Sequence, residues 1–315
     1  MAVGEATTGP GAVADAAPLR PREGFWRRLR RDRGAMAGAT IIGLIILSAL
    51  FAGVVANDVL HHGVNQVFGG RTLNGYGLPD GPSAAFPFGA DLEGRDLLVR
   101  VLYGARTALL IGGLGTALAI VIGVSLGLLG GYFGGVIDTI LARLTDIVLA
   151  LPLLLIAIGL DAACGSTANG CLGGALKPGT TLVIFVVTMF SWPYIARVVR
   201  GNVLSLREEE FVEAARAAGA GHLRIIISEI LPNLAGPIIV LATIQIPNNI
   251  LFEAVLSFLG VGVPDTVPSW GAMLRDASGV FTVAWWLMVF PGLALAVTTS
   301  GFYLLGDGLR DALDA

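Results

Sequence analysis

Apolar residues fill the stretches from about Ala35 to Ala56, Thr107 to Gly130, Val136 to Leu160, Thr180 to Val199, Leu234 to Val261 and Thr282 to Leu305. Each is long enough to carry a helix across the roughly 30 Å of a bilayer's hydrocarbon, which takes about 20 residues. The pattern predicts an all-α polytopic membrane protein with six transmembrane helices. Residues 1–34 read as a disordered tail ending in a basic cluster and 35–56 as the first transmembrane helix. Residues 57–104 read as an outer loop, 105–306 as a five-helix core and 307–315 as a short charged tail. Within the outer loop, Leu97, Leu98, Val101 and Leu102 recur at helical spacing among charges, which predicts a helix lying in the interface.

One polar stretch breaks the apolar rhythm. Glu213 to Ala218 is almost all helix former, and Gly219 can take the left-handed backbone that closes a helix. A second helix starts near His222, with Leu223, Ile226, Ile227 and Ile230 at i, i+3, i+4 and i+7 as its apolar face. Pro232 then opens the next apolar run at a first-turn position. Two helices around a glycine elbow, between two spans, form a rigid polar surface suited to docking.

Composition agrees with a membrane location: of 315 residues, 55% are hydrophobic and 14% charged, with mean hydropathy +0.78. The net charge of −3 gives no reason to expect a nucleic-acid partner. The distribution of charge says more. Arg71, Arg95, Arg100, Arg106, Lys177 and Arg275 fall on one side, leaving 14 of the 20 basic residues on the other. That bias puts both termini, and the stretch 207–232, in the cytoplasm. The cluster Arg27 to Arg33 also fits a twin-arginine signal peptide with Val54-Val55-Ala56 as a poor cleavage site. The apolar run is longer than a signal's, so the first span is read as retained.

Candidate chemistry is sparse. Gly115, Ala119, Gly123, Gly127 and Gly131 form a small-residue stripe on the second span, a helix-packing signal. No Gly-Lys-Ser/Thr follows a strand, so the glycines do not cradle nucleotide phosphates. Arg143 and Asp146, three apart, can pair with each other or reach the inner interface. Cys164 and Cys171 lie in a short outer loop, either bridged or as free thiols, with too few ligands nearby for a metal. On the fifth span Gln245, Asn249, Glu253 and Ser257 recur every four residues as one polar stripe. Such a stripe must face protein or water, as pathway lining, a contact with another subunit, or an internal hydrogen-bond network.

Glu213-Ala214-Ala215, Gly219 six positions after the glutamate, and Leu231-Pro232 together resemble the EAA loop of ABC-importer permeases. Glu229 departs from the general pattern, which has isoleucine there; the ending Ile-Leu-Pro-Asn is similar to the dipeptide/oligopeptide/nickel branch. Gly94-Arg95-Asp96 with Arg100, and Pro268-Ser269-Trp270-Gly271, resemble segments of the same branch, although Ala90 stands where its pattern has threonine. The resemblance implies the type I importer permease fold and transport of peptides, nickel or glutathione. It implies a second, homologous permease as heterodimer partner, two cytoplasmic ATPase subunits and an extracytoplasmic solute-binding protein. The implied ATPase-docking loop comprises Glu213, Ala214, Ala215, Gly219, Ala220, Gly221, His222, Leu231 and Pro232. ATP and Mg would be bound by the ATPases, and this chain would carry no cofactor and no catalytic residue. The rival readings are an ion-gradient-driven transporter or channel titrating Glu253 or Asp161, disfavoured by the lack of an inverted repeat, and a membrane scaffold.

Overall fold

The computed structural model describes residues 25–165, 170–174 and 176–314. The reading of residues 1–24 as a disordered tail lies outside them. Helix α1 (Phe25–Arg31) leads into α2 (Arg33–Val54), whose start is set by Asp32: its Oδ1 accepts from Ala35 N at 2.9 Å. A π turn, Val55–Val59, extends α2 into a span of 27 residues.

After the segment 60–96 comes α3 (Leu97–Phe133), 37 residues and so about 55 Å long. Asp96 caps it, accepting from Leu98 N at 2.8 Å and Val99 N at 3.4 Å. The interfacial helix expected before the second span is therefore not a separate element. Leu97 to Leu102 are the first turns of α3, and no proline follows to end the helix before Phe133.

The third crossing also differs from expectation. Helices α4 (Gly135–Ala150) and α5 (Leu153–Gly165) meet at a bend of 78°. Pro152 supplies no N–H and pushes Leu151 into an extended conformation (φ −74°, ψ 134°), which an α-helix cannot continue through. The straight span from Val136 to Leu160 is replaced by a broken one.

Helix α6 (Thr180–Leu206) is followed by α7 (Glu210–Ala217), α8 (His222–Arg224), a π turn at Ile225–Ile230, α9 (Leu231–Asn233) and α10 (Ala235–Phe258). The short helix α11 (Trp270–Ala277) precedes α12 (Trp286–Asp314). The expected tail 307–315 is instead the end of α12 as far as Asp314. Among the described residues, five helices are long and apolar enough to cross a membrane, and the bent pair α4–α5 brings the crossings to six.

The glycine stripe packs α3 against α6. A methyl on Gly115, Gly123, Gly127 or Gly131 would come within 3.0 Å of Val187, Ile195, Val199 or Val203 respectively, so the two backbones touch along the seam. Leu29 and Ala35 pack with Leu309 and Ala312, placing the start of α2 and the end of α12 on one face. The end of the segment 207–233 shares that face: Pro232 and Asn233 line one cavity with Arg310 and Leu313 of α12. Trp286 is buried and donates to Ala90 O at 3.1 Å, whereas Trp285 is half exposed.

Candidate coupling surface and polar membrane interior

The elbow is a complete Schellman closure. Gly219 has φ +79°, its N–H donates to Arg216 O at 2.9 Å, and Ala220 N–H donates to Ala215 O at 3.0 Å. Glu213 lies in the first turn of α7, where the helix dipole favours an anion; it is exposed and forms no ion pair among the described residues. Ala214 and Gly221 are exposed, and Ala215 and Ala220 half-buried against the neighbouring core.

The apolar face of the second helix keeps half of the expected set: Ile230 is buried and Ile226 packs partly buried against the same core, but Leu223 and Ile227 do not. Ile225 and Ile230 are buried, while Leu223 is 71% and Ile227 53% exposed. The π turn explains the change, since its i→i+5 hydrogen bonds align residues five apart and the 3.6-residue period is lost there. Ile225, Ile230 and Val212 join one core with Tyr132 of α3 and Val199 and Val203 of α6. The hairpin is thus clamped to the ends of α3 and α6. Tyr132 Oη and His222 Nδ1 lie 2.9 Å apart, and Arg207 donates to Gly131 O at 3.0 Å. Leu231 is half-buried and Pro232 exposed at the junction with α10.

In the membrane interior, Asn249, Glu253 and Ser257 are buried and closed in by their own chain. Asn249 Oδ1 accepts from Ser191 Oγ at 2.9 Å and its Nδ2 donates to Thr116 Oγ1 at 2.8 Å. Glu253 Oε1 accepts from Ser257 and from Ser269, each at 2.8 Å. Ser269 in turn caps α11, accepting from Gly271 N and Ala272 N. Gln245 and Asn249 of the stripe line a cavity of about 250 Å³, together with Ser191 and Asn248. Thr116, Ser191, Asn248 and Tyr303 are polar participants that periodicity on the fifth span alone could not reveal. Asn248, adjacent to Asn249, was the one legible signal.

The segment Pro268 to Gly271 acquires a mechanical reason. Trp270 is 2% exposed, donates to Val101 O at 3.0 Å and fits over Gly104, where a methyl would come within 2.7 Å of its ring. Gly271 crosses α10 so closely that a Cβ would sit 2.1 Å from Ala254 O. Between α2 and the first turn of α3, Asp91 is bridged by Arg95 at 2.6 Å and Arg100 at 3.3 Å, and Asp96 meets His62 at 2.6 Å. Asp146 pairs with Arg197 at 2.7 Å, with Arg143 only at 3.9 Å. Cys164 and Cys171 are joined in a disulfide.

The family model described as binding-protein-dependent transport system inner membrane component matches residues 119–315, and that of the N-terminal TM domain of oligopeptide transport permease C matches 21–66. A dipeptide transport system permease protein DppC of Alkalihalophilus pseudofirmus is 38% identical over 93% of this chain and 89% of its own. A glutathione transport system permease protein GsiD of Shigella boydii is 40% identical over 96% of this chain and 95% of its own. Two inward-facing structures of the MetNI methionine ABC transporter share the fold, with TM-scores of 0.53 and 0.54 at 19% identity, covering 68% and 67% of this chain and 95% of theirs. The chain belongs to the family of binding-protein-dependent transport system inner membrane components. It is a permease subunit of an ABC importer, working with ATPase and binding-protein subunits in the inner membrane. The ion-gradient reading is not favoured.

Proposed function

We propose that this subunit forms, with a second homologous permease, the pathway by which an ABC importer takes up di- or oligopeptides. One of two ATPase subunits docks on the cytoplasmic hairpin 207–232, a binding protein delivers peptide to the opposite face, and both chain termini are cytoplasmic. ATP and Mg belong to the ATPases; this chain transmits force and is not itself an enzyme. The peptide assignment draws on relatives named for dipeptide and glutathione transport, both of which carry amide-linked substrates.

One observation carries the reading. The elbow at Gly219 presents the exposed Glu213, Leu223 and Ile227 outward, while its inner face is locked to α3 and α6. Exposed apolar side chains rimmed by charge mark a protein contact, and the locked inner face would pass a push to the spans.

The test is reconstitution with all partners in proteoliposomes. Glu213→Lys reverses charge where the helix dipole favours an anion. Gly219→Val forces a β-branched residue into a left-handed backbone at a cost on the order of 1–2 kcal/mol. No atom lies within 4 Å of the added Cβ, so the fold should survive. The double variant should insert normally yet lose uptake and the ATPase stimulation given by loaded binding protein. Full stimulation and uptake would remove this hairpin as the coupling element.

A further inference from the structure

The cavity beside Gln245 lies between α6 and α10, with Leu153, the first residue after the helix break, on its wall. Its volume of about 250 Å³ is far above the roughly 10–15 Å³ that one water requires. Non-helical backbone inside a membrane is tolerated only where it meets protein or water. Leu151 and Pro152 are exposed on this chain, so the break opens on an aqueous vestibule or a neighbouring subunit, next to the cavity.

The polar lining is amide and hydroxyl, and no titratable side chain contributes to it. The amides are not equivalent. Asn249 is committed at both ends, to Ser191 and Thr116, and serves as a fixed wall. Among the described residues Asn248 is held by one end only: Tyr303 Oη of α12 donates to its Oδ1 at 2.7 Å, leaving the Nδ2 donor unengaged. Gln245 has no hydrogen-bond partner among the described residues and offers both a donor and an acceptor. Phe190 and Phe252 supply apolar surface around them.

Building on the peptide reading above, we infer that this cavity is a contact site for the main-chain amides of the transported peptide, with Gln245 and Asn248 as the groups that touch it. A peptide unit carries one N–H and one C=O, the pair that a side-chain amide complements. Substrates of one importer differ in their side chains and share their main chain. A site without charge favours none of those side chains. Neutral hydrogen bonds also serve passage, because a conducting site must hold its cargo weakly enough to release it. Tyr303 fixes which end of Asn248 faces the cavity, so it is a positioning residue.

The experiment uses the complete importer in proteoliposomes and labelled trialanine as probe, beside a panel of other di- and tripeptides. In the Gln245→Leu, Asn248→Leu double variant, uptake should fall at least tenfold. ATPase stimulation by loaded binding protein should stay near wild type, which separates the effect from misassembly or lost coupling. Uptake within twofold of wild type would overturn the inference. An independent arm uses Asn248→Cys. The chain's two cysteines are bridged to each other, so this thiol is its only free one. A hydrophilic methanethiosulfonate should react with it and block uptake, and trialanine supplied through the binding protein should slow the reaction. An unreactive thiol, or a modified one with full uptake, would refute the site. A wild-type importer that takes up none of the peptides would sink the peptide reading itself, and this inference with it. Normal peptide uptake by both wild type and double variant would remove only the cavity assignment.

Discussion

The crossing of α11 over α10 gives the sharpest quantitative prediction. In Gly271→Ala the new methyl would stand 2.1 Å from Ala254 O and 2.7 Å from the carbon bearing that oxygen. A carbon tolerates a carbonyl oxygen at no less than about 3.3 Å, so α11 must move away by about 1 Å. Ser269 and Trp270 move with it. The 2.8 Å bond from Ser269 to Glu253 would lengthen beyond hydrogen-bonding range, and the 3.0 Å bond from Trp270 to Val101 O would be strained. Overpacking costs about 1–3 kcal/mol. Leaving a buried polar group short of one partner costs about 1–3 kcal/mol more. Together the loss is about 2–6 kcal/mol.

At about 2–4 °C per kcal/mol, the scale for chains somewhat shorter than this one, the apparent Tm should drop by roughly 10 °C. The measurement is thermal unfolding of the purified complex in nanodiscs, followed by tryptophan fluorescence, with Gly279→Ala as control. Gly279 lies in the same outer region with open space around its Cβ and no left-handed backbone, so that variant should stay within about 1 kcal/mol of wild type. Ser269→Ala, which removes the hydroxyl without adding bulk, should produce part of the Gly271→Ala loss. Equal melting of Gly271→Ala and Gly279→Ala would mean that the close approach of α11 to α10 is not a constraint on this protein.

Ile225→Ala should destabilise the complex by about 2–4 kcal/mol through loss of buried contacts, whereas Leu223→Ser should leave its melting unchanged but weaken co-purification of the ATPases; the opposite pattern would restore the face expected from a regular helix. With the native cysteines bridged, a thiol at Ala217, exposed on the hairpin, should be labelled only from the cytoplasm, and one at Tyr76, 93% exposed, only from outside; reversed labelling would invert the proposed topology. Non-reducing peptide mapping of protein kept under oxidising conditions should recover Cys164 linked to Cys171, and two free thiols there would exclude the bridge.

What the sequence disclosed follows from how local each signal is. The glycine stripe named a packing face because small residues every four positions have one geometric use, and α6 is the helix that fills it. The elbow was readable because a left-handed closure after a run of helix formers asks for glycine, and Gly219 stands there. The errors cluster where the backbone leaves the 3.6-residue period or turns without a polar warning. Leu223 and Ile227 were placed on the buried face by a periodicity that the π turn at Ile225–Ile230 abolishes, and nothing in Ile-Ile-Ile-Ser-Glu-Ile marks such a turn. Pro152 was visible, but a proline inside an apolar run can kink or break a helix, and composition does not choose between the two. Pro193, Pro247 and Pro291 are tolerated inside α6, α10 and α12, whereas Pro152 divides its span. The polar stripe on α10 was correct as a direction and incomplete as a site. Its partners Thr116, Ser191 and Ser269 come from three other segments, so only the packing of those segments could sort the committed amide, Asn249, from the available one, Gln245.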